Sequence, residues 1–351
     1  MKILSVGQFS AHGLSNTCLH RNWALKKFGE VDEVDSTLTN RLLMHRIVNY
    51  MFQKCHLPIH FSSTSLNRDI RKRINNSVYD IVWIDKGIFV CAKTLKYIKQ
   101  RSPRTIIVGY SPDNMAERHN QSQHFLEALP LYDYYITTKS YIVDFLKNKG
   151  VPNVIFVNNA YEEAFHHPYT ITQEERERLG GVVGFIGSWE EERFRSIKYL
   201  AEHGIPVRVW GGGKWLEYKD KIPHLTIESR GLFSEDYNKA LSAFDISLCF
   251  LRKMNSDQQT TRTMEIPACQ SLLMAERTPE HEMLFEEGKE AMFFSSNEEL
   301  LRKTEDLIQH PEKCREIARA GRERCLKSGY SNLEMIRSVL NKIANENTIY
   351  I

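Results

Sequence analysis

Val182-Val183-Gly184-Phe185-Ile186-Gly187-Ser188-Trp189-Glu190-Glu191 is the stretch that decides the fold. Its first half is a short β-rich apolar run that stops at a glycine. Its second half carries Ser188-x-x-Glu191, the spacing of a capping box, which opens a helix. A strand that turns through glycine into a helix is the repeating step of an α/β layer structure. The same step recurs on both sides of it. Upstream, strands are expected at Lys2–Val6, Val31–Asp35, Asp80–Ile84, Thr105–Tyr110, Tyr134–Thr138 and Val154–Val157. Downstream they are expected at Val182–Gly187, Pro206–Trp210, Leu225–Glu228, Asp245–Phe250, Ser271–Ala275 and Ala291–Phe294. Helical patterns separate these runs, so the expectation is two doubly wound, mainly parallel sheets of about six strands each.

At 351 residues the chain is long enough for two domains. The polar stretch from His166 to Gly181, closing in Gly-Gly, reads as the linker, which divides the chain into 1–170 and 171–331. Asn297–His310 and Pro311–Ser328 read as charged amphipathic helices. A last helix, Asn332–Glu346 within 332–351, has Ile336, Val339, Leu340 and Ile343 on one face. The seven cysteines have no CxxC spacing, so a disulfide framework or zinc site is not expected and a reducing cytoplasm fits. No apolar run reaches the roughly 18 residues of a spanning helix.

The formal net charge of +3 is unevenly spread: residues 1–170 carry 21 Lys and Arg against 14 acids, and the remainder 26 against 30. A basic half beside an acidic half points the first toward an anionic partner. Arg41–His56 and Leu66–Asn76 mix cations with large apolar residues. Two readings of them stand: peripheral contact with a membrane surface, or ordinary amphipathic helices with a solvated basic face.

Several chemistries are excluded by motif. There is no P-loop, no G-x-G-x-x-G fingerprint and no G-x-S-x-G elbow. His281-Glu282-Met283-Leu284-Phe285 has Phe where a HExxH zinc motif needs its second His. No Asp-x-Asp metal clamp occurs, and no basic groove with interleaved stacking aromatics, so neither a bound metal nor nucleic acid is expected.

In open α/β sheets ligands sit beyond the carboxyl ends of strands. Three strand ends in the second half run into glycine turns: Gly187-Ser188, with Arg193 in the helix that follows; Gly211-Gly212-Gly213; and Gly231-Leu232-Phe233. Gly187 lets a ligand approach backbone, and a helix N-terminus favours an anion such as phosphate. A plain capped helix accounts for the first turn equally well. The polar run Asn255–Ala268 follows another strand and contains Asp257, Thr261, Arg262 and Glu265. Arg262 and Glu265 are i,i+3 on a helix, a pair that can hold a diphosphate with the planar guanidinium and a ribose diol with the carboxylate. In the first half, Gly7-Gln8-Phe9-Ser10-Ala11-His12-Gly13 and Ser111-Pro112-Asp113-Asn114 follow strands. Either His12 or Asp113 can serve as the group that takes an acceptor proton.

The ordered set Phe185-Ile186-Gly187-Ser188, Val209-Trp210-Gly211, Arg262–Cys269 and Glu280–Glu290 resembles the spore-maturation CgeB-like branch of group 1 glycosyltransferases, with Tyr110–Asn114 as a weaker echo. The resemblance implies a GT-B architecture. Two Rossmann-like domains would face across a cleft, the second would hold a nucleotide-sugar donor, and the last helix would cross back to the first. It also implies roles. The family's Glu-x7-Glu pattern falls on Asp257 and Glu265, the latter binding ribose and the former touching the donor sugar. Gly13 would lie on a loop brought to the donor phosphates, and the turn Gly231–Phe233 would meet the base. Ser188 stands where the family often has Arg, which leaves Arg193 and Arg262 to face the diphosphate. The implied activity is metal-independent sugar transfer from a nucleoside diphosphate sugar to a hydroxyl acceptor (glycan, lipid-linked or protein), with retention in the members it most resembles. A nucleotide-sugar epimerase or hydrolase on the same fold, or a non-catalytic nucleotide-sugar-binding subunit, are the alternatives.

Overall fold

The computed structural model describes residues 1–11, 13–37, 43–57 and 65–347, without the side chain of His45. The described chain forms two compact units, 1–158 with 332–351 and 159–331.

The first unit runs β1 (Lys2–Gly7), α1 (Thr17–Leu25), β2 (Glu30–Asp35), α2 (Leu43–Cys55), α3 (Ser65–Asn76), β3 (Ile81–Asp85), α4 (Ala92–Arg101), β4 (Ile106–Ser111), α5 (Gln123–Ala128), β5 (Tyr134–Thr137), α6 (Val143–Asn148) and β6 (Asn153–Phe156). The second runs α7 (Gln173–Leu179), β7 (Gly181–Ile186), α8 (Glu191–Glu202), β8 (Val207–Trp210), β9 (Leu225–Glu228), α9 (Ser234–Ala243), β10 (Phe244–Cys249), α10 (Arg262–Ala268), β11 (Leu272–Glu276), α11 (Pro279–Leu284), β12 (Met292–Phe294), α12 (Asn297–Gln309) and α13 (Pro311–Lys327). The chain then returns to the first unit as α14 (Asn332–Asn347).

Each unit is built on one parallel six-stranded sheet, in the orders β2-β1-β3-β4-β5-β6 and β12-β11-β10-β7-β8-β9. A sheet covered on both faces needs apolar side chains on both, which is why β3 and β4 are buried at every position and read as continuous apolar runs. The second order is the Rossmann order, with β7 as its first strand, so the chain reverses direction between β7 and β10. In the first unit the reversal falls between β1 and β3. α14 packs on α1, and the Tyr134 hydroxyl donates to Glu346 at 2.6 Å and accepts from Asn347 at 2.7 Å.

The structure corrects the reading of 166–181 as a linker. Thr172 and Glu175 close a reciprocal capping box that starts α7, and Leu179 is fully buried. Residues 159–170 also belong to the second unit. Asn159 N donates to Gln259 Oε1 at 2.9 Å, Tyr161 N to the Tyr330 carbonyl at 3.1 Å, and the Asn238 amide to the Phe165 carbonyl at 2.7 Å. The division therefore falls at 158/159 and not at 170/171. Polarity marked the segment as surface, but local capping and buried Phe165 and His166 tie it down.

Of the two basic amphipathic stretches, α3 buries Leu66, Ile70 and Ile74 in the core of the first unit. α2 leaves Leu43, Met44, Ile47 and Tyr50 exposed. Residues 41 and 42 lie outside the described residues. Among those residues no helix is long and apolar enough to cross a membrane. All seven cysteines are free.

Candidate functional site

The reversal in the second unit puts the ends of β7 and β10 side by side, and two arginines converge there. Arg262, at the start of α10, donates from Nε to the Ile186 carbonyl at 2.9 Å. Arg193, in the first turn of α8, donates to the carbonyls of Ser188 (3.2 Å) and Leu251 (3.4 Å) and pairs with Glu190 at 3.1 Å. Its Nε is buried and has no acceptor among the described residues. Burial, with a further push from the Arg262 charge, lowers the Arg193 pKa from its ordinary value. Two guanidinium groups that feel each other's charge at one strand-end reversal are an arrangement that can receive an anion.

The capping box expected at Ser188 does not form. α8 begins three residues later with Glu190 as its N-cap, and no side chain caps it. Glu190 is drawn to Arg193 instead, and the Ser188 carbonyl receives an arginine N–H. Gly187 and Gly211 meet each other. A Cβ on Gly211 would stand 2.5 Å from the Gly187 carbonyl and 2.6 Å from the Trp215 ring, and Trp215 Nε1 donates to that carbonyl at 3.1 Å. Close backbone packing thus demands glycine at 211. Among the described residues nothing lies within 4 Å of a Cβ on Gly212, and near Gly231 only the Phe233 ring does, at 3.5 Å; Phe233 is itself more than half exposed. Lys214 stands 3.8 Å over the Trp189 ring at the same rim, a cation–π pair that no motif announced.

Arg262 and Glu265 share α10 but turn to different partners. Glu265 is buried, accepts from the Tyr237 hydroxyl, and lies 3.7 Å from His166 Nε2. His166 Nδ1 accepts from the Glu162 N–H, so the neutral ring carries its proton on Nε2, toward the carboxylate. Burial pushes the His166 pKa down to about 3. Thr261 is the N-cap of α10 but its side chain does not cap the helix, and the neighbouring Thr263 hydroxyl lies 2.9 Å from His281 Nε2. His281 Nδ1 donates to the Glu276 carbonyl at 2.7 Å, and burial lowers its pKa, so the ring is neutral and accepts from Thr263. His281 is thus a clamp between β11 and α10. Asp257 N donates to the Arg252 carbonyl at 3.4 Å, which places this acid on the loop between β10 and α10.

The His166 environment sets a pH dependence. Below pH 6.5 the unfolded chain takes up a proton that the folded ring refuses, so stability falls as pH falls. The slope is about 1.4 kcal/mol per pH unit until the folded ring itself titrates. Urea midpoints at pH 7 and pH 5 check this: the drop on acidification is expected to be smaller in His166→Gln than in the native chain.

In the first unit the loop after β1 is organised by Asp35, which accepts from Phe9 N and Ser10 N (3.2 Å each), Thr37 N (2.8 Å) and the Ser10 hydroxyl. Asn16 caps α1 by accepting from Cys18 N and Leu19 N. Gly13 has φ +56°, which favours glycine. His12 lies outside the described residues. Asp113 follows β4 and pairs with Lys86 at 2.5 Å. Beneath them Arg21 holds Asp85 with two bonds of 2.6 and 3.1 Å, both residues buried, and its guanidinium covers the Tyr110 ring at 4.2 Å.

The fold is that of the GT-B glycosyltransferases. Anabaena Alr3699/HepE, solved in complex with UDP-glucose, superposes with a TM-score of 0.63 at 14% identity, covering 98% of this chain and 100% of that one. A glycosyltransferase from Rickettsia africae ESF-5 gives 0.64 at 14% identity over 100% and 99%. Sucrose-phosphate synthase from Thermosynechococcus elongatus gives 0.60 at 12% over 98% and 100%. Residues 191–340 match the family model described as glycosyl transferase-like, a span that holds both arginines, Asp257 and Glu265. No curated protein matches the chain in sequence.

Proposed function

We propose that the protein is a glycosyltransferase that moves a sugar from a nucleoside diphosphate sugar to a hydroxyl acceptor. The observation that carries this reading is the pair Arg193 and Arg262 at the β7–β10 reversal, inside the span that matches the glycosyl transferase-like model. In the reaction the acceptor oxygen bonds to the anomeric carbon, the bond from that carbon to the diphosphate oxygen breaks, and its electron pair leaves with the nucleoside diphosphate. Donors already fixed where that charge develops lower the barrier without reorganising. Arg262 and Arg193 supply them, so the proposed reaction runs without a metal. Glu265, braced by Tyr237 and His166, is proposed to face the ribose, and Asp257 the donor sugar. Asp113, or His12, is proposed to take the acceptor proton. Membership of the CgeB-like branch and retention at the anomeric carbon are part of the same proposal. So is peripheral contact of the acceptor-binding half with a membrane, for which the exposed apolar side chains of α2 speak.

Anabaena Alr3699/HepE was solved with UDP-glucose and with UDP, which makes UDP the first donor base to test. A thermal-shift screen against UDP, GDP, CDP, TDP and ADP and their sugars is expected to show stabilisation by one base. The shift should be larger for diphosphate than for monophosphate and unchanged by EDTA. No shift with any nucleotide would sink the reading.

A further inference from the structure

A cavity of about 610 Å³ lies between α3 and the start of α4 in the first unit, and cations surround it. Arg68, Arg71 and Lys72 come from one face of α3 and Lys93 from the first turn of α4; among the described residues no carboxylate lines it. Its floor is fixed. Asn67 Oδ1 accepts from Cys91 N at 2.9 Å and from the Thr94 hydroxyl at 2.8 Å, while its amide donates to the Phe89 carbonyl at 2.8 Å. Cys91, the N-cap of α4, offers no side-chain cap to the first amides of that helix. Arg71 is the informative residue. Its Nε is buried with no acceptor among the described residues, and its guanidinium lies 5.5 Å from the Tyr97 ring. A buried N–H without an acceptor costs free energy that an incoming oxygen anion would recover. Asp69, about half exposed and 3.6 Å from Arg68, stands outside the lining.

We propose that this cavity binds a phosphate or sulfate ester. The chemistry is that of doubly charged oxyanions, which guanidinium forks recognise with paired hydrogen bonds. The volume exceeds that of a bare ion and suits an ester carrying a sugar or a headgroup. This site is separate from the arginine pair of the second unit and does not depend on the transferase reading.

Cys91 lines the cavity and gives a local readout, with exposed Cys55 as the internal reference. Its alkylation by iodoacetamide is followed by mass spectrometry with inorganic phosphate, tripolyphosphate, or phosphatidylcholine vesicles with and without phosphatidic acid. Sodium chloride at matched ionic strength serves as the control. At a probe concentration of about twice Kd, alkylation of Cys91 is expected to slow about threefold relative to Cys55. The protection should vanish in Arg71→Gln/Lys72→Gln and weaken in Lys93→Gln. Protection by the soluble anions supports a free ester as the occupant, and protection by phosphatidic acid vesicles alone supports a lipid headgroup. No protection by any probe, or equal slowing by sodium chloride, overturns the proposal. Either result leaves nucleotide binding by the second unit to be judged by its own thermal shift.

Discussion

Arg262→Ala is expected to lower kcat/KM for the donor reaction by roughly 10² to 10³-fold, about 3–4 kcal/mol of transition-state stabilisation. The size follows from the role proposed for the residue. Arg262 is anchored through Nε to the Ile186 carbonyl, so its orientation is set before substrate arrives. A charge fixed in advance interacts more strongly with the departing diphosphate than with the bound ground state. The loss should therefore appear in kcat as well as in KM. Arg262→Lys keeps the charge and forfeits the fork, and an intermediate loss is expected. Glu265→Gln should raise KM for the donor more than it lowers kcat, because the ribose contact proposed for it would change little along the reaction. Steady-state kinetics with the nucleotide identified by thermal shift checks all three. An Arg262→Ala enzyme that is folded, as judged by circular dichroism, and has unchanged kcat/KM would remove the central element of the proposed mechanism.

The strands were legible because a parallel sheet buried on both faces needs unbroken apolar runs, and Ile81-Val82-Trp83-Ile84 or Leu272-Leu273-Met274-Ala275 can hardly be read otherwise. The C-terminal helix was legible for the same reason: Ile336, Val339, Leu340 and Ile343 recur at helical spacing and are all buried. Polar segments were read less well, since polarity reports exposure only on average. The stretch 166–181 looked like a linker although its Thr172–Glu175 box and buried Leu179 mark a helix. At Ser188 the opposite happened. The spacing of a capping box was present, but Arg193 competed for the Ser188 carbonyl and for Glu190, and the cap was lost to a charge pair. In the site, Arg262 and Glu265 stood out because strand-end position and side-chain chemistry can be read locally. Tyr237 and His166, which hold Glu265, could not be. The first lies 28 residues from Glu265 in sequence, and only the fold brings the two together.

Arg21→Ala is expected to cost the first unit about 3–5 kcal/mol, a large part of the 5–15 kcal/mol that typically holds a domain together. Arg21 and Asp85 are 64 residues apart and join α1 to the end of β3 through two hydrogen bonds in a buried site. Removing the guanidinium leaves the Asp85 carboxylate buried without its counterion and takes the cation from the face of Tyr110. The penalty therefore comes chiefly from stranding the acid, and this can be tested separately. If so, Arg21→Met/Asp85→Leu, which removes both charges and fills the space, should recover at least about half of the loss, because desolvating a pair consumes most of what their attraction returns. Guanidinium chloride denaturation of the three proteins decides it. Equal instability of the single and double variants would mean that the pair stabilises the fold through its geometry and not by cancelling charge. The pair lies directly beneath Lys86 and Asp113, since Lys86 follows Asp85 and Asp113 follows the strand that carries Tyr110. Arg21→Ala should thus also disturb the proposed proton acceptor, and at temperatures where the variant is still folded its kcat should fall while donor binding by the second unit, read by thermal shift, is retained.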